Sequence, residues 1–252
     1  MPPFSFRADD AIHHTVTFGI DVYPPIEIRE ERTHLNMFYE EASSRWRDLY
    51  ERLIVSDTEF RISKAFRKDP EVQGPSLTAV TFVLTQRGPV LTFPLLLPEP
   101  IGRTGLEEAY LERFDEIRRF FFSALPTRKV MRLGMVRDLM FPMDQAACQS
   151  LLTPQASFGN ADLLGGNCLL HYCDRKYNLR VQFEPGQLST QMQLPVGATV
   201  TQHTVSCLHV RLDVNNRETR PLEDADIEEV LARATGLWPD VLLDYLNERS
   251  VP

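Results

Sequence analysis

The sequence predicts an α+β fold built as two tandem, similar subdomains, each a mainly antiparallel sheet packed by amphipathic helices. Three observations carry this reading. Apolar residues at every second position, such as Val16, Phe18, Ile20 and Val22, mark strands with one buried face. Apolar residues every three or four positions, such as Leu35, Phe38, Ala42 and Trp46, mark helices with one apolar stripe. The order strand, helix or loop region, further strands, closing helix then occurs twice, which divides the chain into an N-terminal α+β unit at 1–126 and a C-terminal one at 127–252. The two halves share this order and no residue signature.

The first strand covers 15–23 and stops at Pro24-Pro25. A helix is expected over 30–54, its stripe continuing through Leu49 and Leu53. Phe60 and Ile62 give a short strand, and 67–76 a solvated loop. Segments 77–86 and 90–97 flank Arg87-Gly88-Pro89 and read as a hairpin with the glycine in the turn. Pro94 demotes the second arm to an edge strand or a bulged one, because proline has no N–H for a ladder. A second helix spans 106–125; Phe120, Phe121 and Phe122 widen its stripe, so it should be covered from two sides. Past Pro126, a strand over 130–141 leads to a short helix at 144–152 and a loop at 153–166. Strands are expected at 167–173, 178–184 and 187–194, with turns at 174–176 and at Pro185-Gly186. A fourth, at 205–214, puts Leu208, Val210, Leu212 and Val214 inward and His209, Arg211 and Asp213 outward. Asp224 is the expected N-cap of the last helix, which restarts at Pro239.

Composition excludes several classes. The net charge is −8 and no run of Lys or Arg offsets it, which argues against nucleic acid as a partner. No apolar stretch approaches the roughly 20 residues of a membrane span. The N-terminus lacks the apolar core of a signal peptide. Four cysteines are too few for a disulfide scaffold in a chain of 252 residues, so a cytoplasmic protein is expected.

Chemistry-bearing patterns are weak. The nucleophile elbow Gly-x-Ser-x-Gly is absent, and the stretch from Gly159 to Gly166 lacks the Lys-Ser/Thr of a phosphate loop, so no cofactor is expected. The segment opening with Asp213-Val214-Asn215-Asn216 lacks the glycine and closing glutamate of a calcium loop; its paired asparagines read as a turn. Acidic clusters at Glu107-Glu108 and at Asp224, Asp226, Glu228 and Glu229 fall at helix beginnings, where acids favour the macrodipole. His171 with Cys173, and Cys207 with His209, are pairs spaced by two. Adjacent strands could join them as a tetrahedral zinc set. Structural zinc ligands usually sit in knuckle loops, however, so sheet-face residues and no metal are expected.

One cluster stands apart. The strand Arg132-Leu133-Gly134-Met135-Val136-Arg137-Asp138 sets charges beside a glycine inside an apolar run, and Arg211 and Asp213 share one face of another strand. The plain reading is an ion-pair network on a sheet face. The functional one is a polar patch at the seam between the halves, where Arg132, Arg137, His171, His209, Arg211 and Asp213 would hold an anionic ligand. The pattern Arg132-x-Gly134-x-x-Arg137, followed by Leu212-Asp213-Val214-Asn215 and a terminal helix, resembles an uncharacterised bacterial protein family of unknown function, over roughly the second half. That resemblance implies a bacterial cytoplasmic protein and no particular activity.

The function expected from these features is a non-enzymatic protein-interaction or regulatory accessory module, binding another protein or itself as an oligomer. The aromatic-rich second helix and the Pro94 edge motivate it. The alternative is a small anionic-ligand binding protein or enzyme with its site at the seam.

Overall fold

The computed structural model describes residues 5–46, 52–57, 59–63, 81–95, 104–152, 168–173, 175–192, 201–217 and 220–249. In chain order the elements are β1 (His13–Tyr23), α1 (Arg32–Arg45), β2 (Arg52–Val55), β3 (Phe60–Ser63), β4 (Thr81–Thr85), β5 (Gly88–Leu95) and α2 (Thr104–Ala124). They continue with β6 (Lys129–Pro142), α3 (Gln145–Leu152), β7 (Cys168–Cys173), β8 (Tyr177–Met192), β9 (Thr201–Asn216), α4 (Asp224–Thr235) and α5 (Asp240–Arg249). The strands form one continuous sheet in the order β2-β3-β4-β5-β1-β6-β9-β8-β7, every neighbouring pair antiparallel. The fold is thus α+β, a large antiparallel sheet with helices.

Alternation along the strands decides which face meets the helices. In β1, Val16, Phe18, Ile20 and Val22 are buried, as are Leu133, Met135, Leu139 and Phe141 of β6 and Leu208, Val210, Leu212 and Val214 of β9. On that face Phe114 of α2 stacks on Phe18 with ring centroids 4.2 Å apart, and Phe121 meets Phe82 at 5.6 Å. Across the other half, Tyr245 of α5 stacks on Phe183 at 5.8 Å. Arg118 of α2 ties the two helical sets together, donating to Asp115 and, at 2.9 Å, to Asp224 at the start of α4.

The three consecutive phenylalanines divide their work as the widened stripe requires. Phe121 faces the sheet, while Phe120 packs on Phe38 of α1 at 5.3 Å and on Trp46 at 5.6 Å. The helix is therefore covered from two sides, by sheet and by α1. These rings are occupied within the fold, which removes them as a motive for an exposed binding patch.

Several boundaries differ from expectation. α1 ends at Arg45, and Leu53 belongs to the edge strand β2, because Leu53-Ile54-Val55 is a short apolar run that pairs with β3. Leu49 and the loops at 67–76 and 153–166 lie outside the described residues. β5 is an interior strand, not an edge. Among the described residues its pairing with β4 runs to Thr92, and Pro94 pairs with Thr15 of β1. Pro185 and Gly186 are not a turn. β8 runs through them as one strand held by the β9 ladder, Pro185 opposite Leu208 and Gly186 opposite Cys207. The N-cap of α4 is Glu223, one residue before Asp224, and the Glu223 N–H donates to Asp226 at 2.9 Å.

Gly88 opens β5 after the Gln86-Arg87 turn with φ of +144°, and a Cβ there would collide with the Ile20 carbonyl. Asn215 and Asn216, expected in a turn, close the strand β9. A register shift in the β1–β6 ladder leaves Met131 as the extra residue. The Asn216 side chain serves that bulge, accepting from the Leu133 N–H at 2.8 Å and donating to the Met131 carbonyl at 3.3 Å. Among the described residues, no helix is long and apolar enough to cross a membrane.

Candidate functional site

The second face of the sheet carries the outward residues of the same alternation. From β6 come Arg132, Gly134, Val136, Asp138 and Met140; from β9 come His209, Arg211, Asp213 and Asn215. The register sets Asp138 opposite Arg211, and Glu184 of β8 opposite His209. Four charged groups therefore converge on three adjacent strands.

His209 sits between two carboxylates. Its Nε2 lies 2.9 Å from Asp138 Oδ1 and its Nδ1 2.8 Å from Glu184 Oε1. Arg211 grips Asp138 in a bidentate pair, Nε to Oδ1 at 2.7 Å and Nη2 to Oδ2 at 3.1 Å. Gln182 donates to the second oxygen of Glu184 at 3.0 Å. The hydrogen bond to Asp138 chiefly raises the His209 pKa; burial opposes it and Glu184 adds to it. Burial pushes Asp138 up, but the hydrogen bonds from His209 and Arg211 outweigh it and hold the carboxyl below its ordinary value. An imidazolium and a guanidinium thus neutralise two carboxylates. Both ring nitrogens are engaged, so His209 has no lone pair directed at a substrate.

A second group lies further along the same strands. Arg132 donates to Asn215 Oδ1 at 2.7 Å, Asn178 donates to the same oxygen at 3.0 Å, and Asn215 donates to Asp213 at 3.1 Å. Asn215 is 3% exposed. Between the two groups, Gly19 and Gly134 face each other across β1 and β6, and a Cβ added at Gly19 would find nothing within 4 Å. Beside them Thr17 and Val136 pair at the centre of this face.

The six residues nominated from the sequence separate accordingly. Arg132, His209, Arg211 and Asp213 share the second face. His171 lies exposed on the edge strand β7, across Arg180 of β8 and two strands from β9. Arg137 does not join them: it is five positions from Arg132, and an odd separation on a strand reverses the face. It is 1% exposed in the core, its Nη1 3.4 Å from Nε2 of His14, and burial pushes it down to about 9.

The zinc arrangement fails for a related reason. β8 intervenes between the two pairs, and the register aligns Cys173 with Asn215 rather than with Cys207. That offset is about eight residues, or about 27 Å along a strand. Among the described residues no three His, Cys, Asp or Glu side chains are placed to hold a metal ion. In the charged tetrad the carboxylates lie on opposite sides of the ring, where they cannot share one cation with it.

Sequence reasoning overlooked Glu184, Gln182, Asn178 and Asn215, and quoted Asp138 without assigning it a role. The parity of Asp138 with Arg132 was available. The partnership of Glu184 with His209 needs the β8–β9 register, which the supposed turn at Pro185-Gly186 concealed. Two cavities lie beside α3 against the middle of β8 and β9, one lined from Pro142 and Val205, the other from Cys148 and Cys207, and neither includes any nominated residue. A scan against models of protein families finds no match to the chain and a search of curated proteins finds none either, so the resemblance carried by Arg132, Gly134 and Arg137 gains no support there.

Proposed function

We propose that this chain is a non-enzymatic interaction or accessory module that docks another protein, or a second copy of itself, on the sheet face opposite α1, α2, α4 and α5, beyond the part that α3 covers. One observation carries the reading: among the described residues the charged groups of that face pair with one another and line neither of the two cavities beside α3. A small ligand would have to break those pairs. A broad partner can instead rest on the small side chains between them, Thr17, Gly19 and Val136. Of the donors that the anionic-ligand reading needs, Arg211 and His209 are engaged by Asp138 and Glu184.

The reading extends to architecture and setting. Two tandem units, 1–126 and 127–252, are supported by the strand order. Outward from the central pair the sheet runs β1-β5-β4-β3-β2 on one side and β6-β9-β8-β7 on the other. Each unit then places its first strand beside its last, and each closes with a helix on the same face. A bacterial, cytoplasmic setting belongs to the same proposal.

The test places charge on the centre of the face. Thr17→Arg and Val136→Arg should abolish complex formation or self-association, read by light scattering of the purified chain alone and with its co-purifying protein. Circular dichroism must remain unchanged. A monomer at all concentrations, whose co-purification is indifferent to both variants, refutes the reading.

A further inference from the structure

We propose that Cys148 and Cys207, with Met143 beside them, form a binding site for a soft monovalent cation, copper(I). The two cysteines come from distant elements, α3 and β9, yet line one cavity of about 230 Å³ together with Met143 and Gly186. Both thiols are free and each cysteine is 1% exposed. Cys148 Sγ lies 4.0 Å from the Met143 backbone carbonyl oxygen, and Met143 lines the same cavity. Gly186 keeps the space open: a Cβ there would stand 3.3 Å from Cys207 Sγ.

The chemistry of the wall selects the ion. Thiolate and thioether are soft donors that favour copper(I), whereas magnesium and calcium require oxygen. Two thiolates and one thioether need no histidine or carboxylate, so the site adjoins the charged tetrad without using it; the same Cβ on Gly186 would stand 3.3 Å from His209 Cβ. An approach also exists. A larger cavity of about 580 Å³ shares Met143 and Ser206 with the small one.

Binding exchanges protons for metal: one copper(I) and two thiols give a copper bis-thiolate and two protons, with no electron transferred.

The test is an anaerobic titration of the reduced full chain against the coloured copper(I)–bicinchoninate complex. A Cys168→Ser/Cys173→Ser background removes the other two thiols. One equivalent of copper(I) should be withheld from the chelator. Cys148→Ser and Cys207→Ser should each abolish retention, and Met143→Leu should weaken it. Cys148→Ala and Cys207→Ala repeat the test without adding a hydroxyl, with circular dichroism reporting the fold. A starting chain that withholds no copper overturns the proposal, as does an equivalent that survives loss of either thiol in a folded variant. Neither outcome depends on whether the open face docks a partner.

Discussion

Replacing Asp138 by alanine separates the charged tetrad from mere surface decoration. Asp138 accepts one hydrogen bond from His209, whose side chain is 16% exposed, and two from Arg211, which is 49% exposed. A half-exposed pair of the second kind contributes about 0–1 kcal/mol. A charged hydrogen bond in the screened position of the first contributes about 1.5–3 kcal/mol. The expected cost of Asp138→Ala is therefore about 2–4 kcal/mol, or a fall in Tm of about 4–15 °C for a chain of this size. Urea unfolding of Asp138→Ala, His209→Ala and the double variant should give a coupling energy of at least about 1 kcal/mol. The pH dependence follows from the raised His209 pKa. A group whose folded pKa lies above its unfolded value stabilises fully below the unfolded value, about 6.5 for histidine, and loses that contribution as pH rises through the folded one. Asp138, held below its ordinary value, stays ionised across that window. The stability difference between the native chain and His209→Gln should thus be largest near pH 6 and shrink toward alkaline pH. A coupling below about 0.3 kcal/mol, or a difference that grows with pH, would falsify the assignment of His209 as an imidazolium clamp.

Asn216→Ala strips two backbone groups of the β6 bulge of their partner, at about 1–3 kcal/mol for each one left buried, so chemical denaturation should report a loss of about 2–4 kcal/mol. Asn216→Asp keeps only the acceptor and should recover part of that loss. Gly88→Ala combines a backbone conformation reserved for glycine with a collision on the Ile20 carbonyl, and should cost about 2 kcal/mol or more by the same measurement; a neutral outcome refutes the close approach of β5 to β1.

The sequence and the structure agree along most of the locally periodic stretches, Leu53 of β2 being an exception. Alternation from Val16 to Val22 and from Leu208 to Val214 placed the buried face of two central strands, and the widened stripe at Phe120, Phe121 and Phe122 anticipated coverage from two sides. Disagreement arises where a residue's meaning depends on its neighbour strand. Pro94 points to an edge or a bulge and Pro185-Gly186 to a turn, yet both prolines lie within strands whose ladders continue past them on the β1 and β9 sides. The nominated site mixed two faces because Arg137 was grouped with Arg132 by proximity in sequence instead of by parity. Glu184 and Asn178 were invisible because cross-strand partners follow register, which no single strand carries.

The central β1–β6 pair joins residues such as Gly19 and Gly134, more than a hundred positions apart. During synthesis, β1 must therefore wait with one flank unsatisfied until the ribosome has released β6. A nascent or truncated first half would display that flank, eleven residues long, as a template for any extended chain nearby. Contacts of this separation also make folding slow, because the loop must close before the ladder rewards it. The geometry that gives the finished molecule its uninterrupted sheet thus makes the half-made chain a client for chaperones.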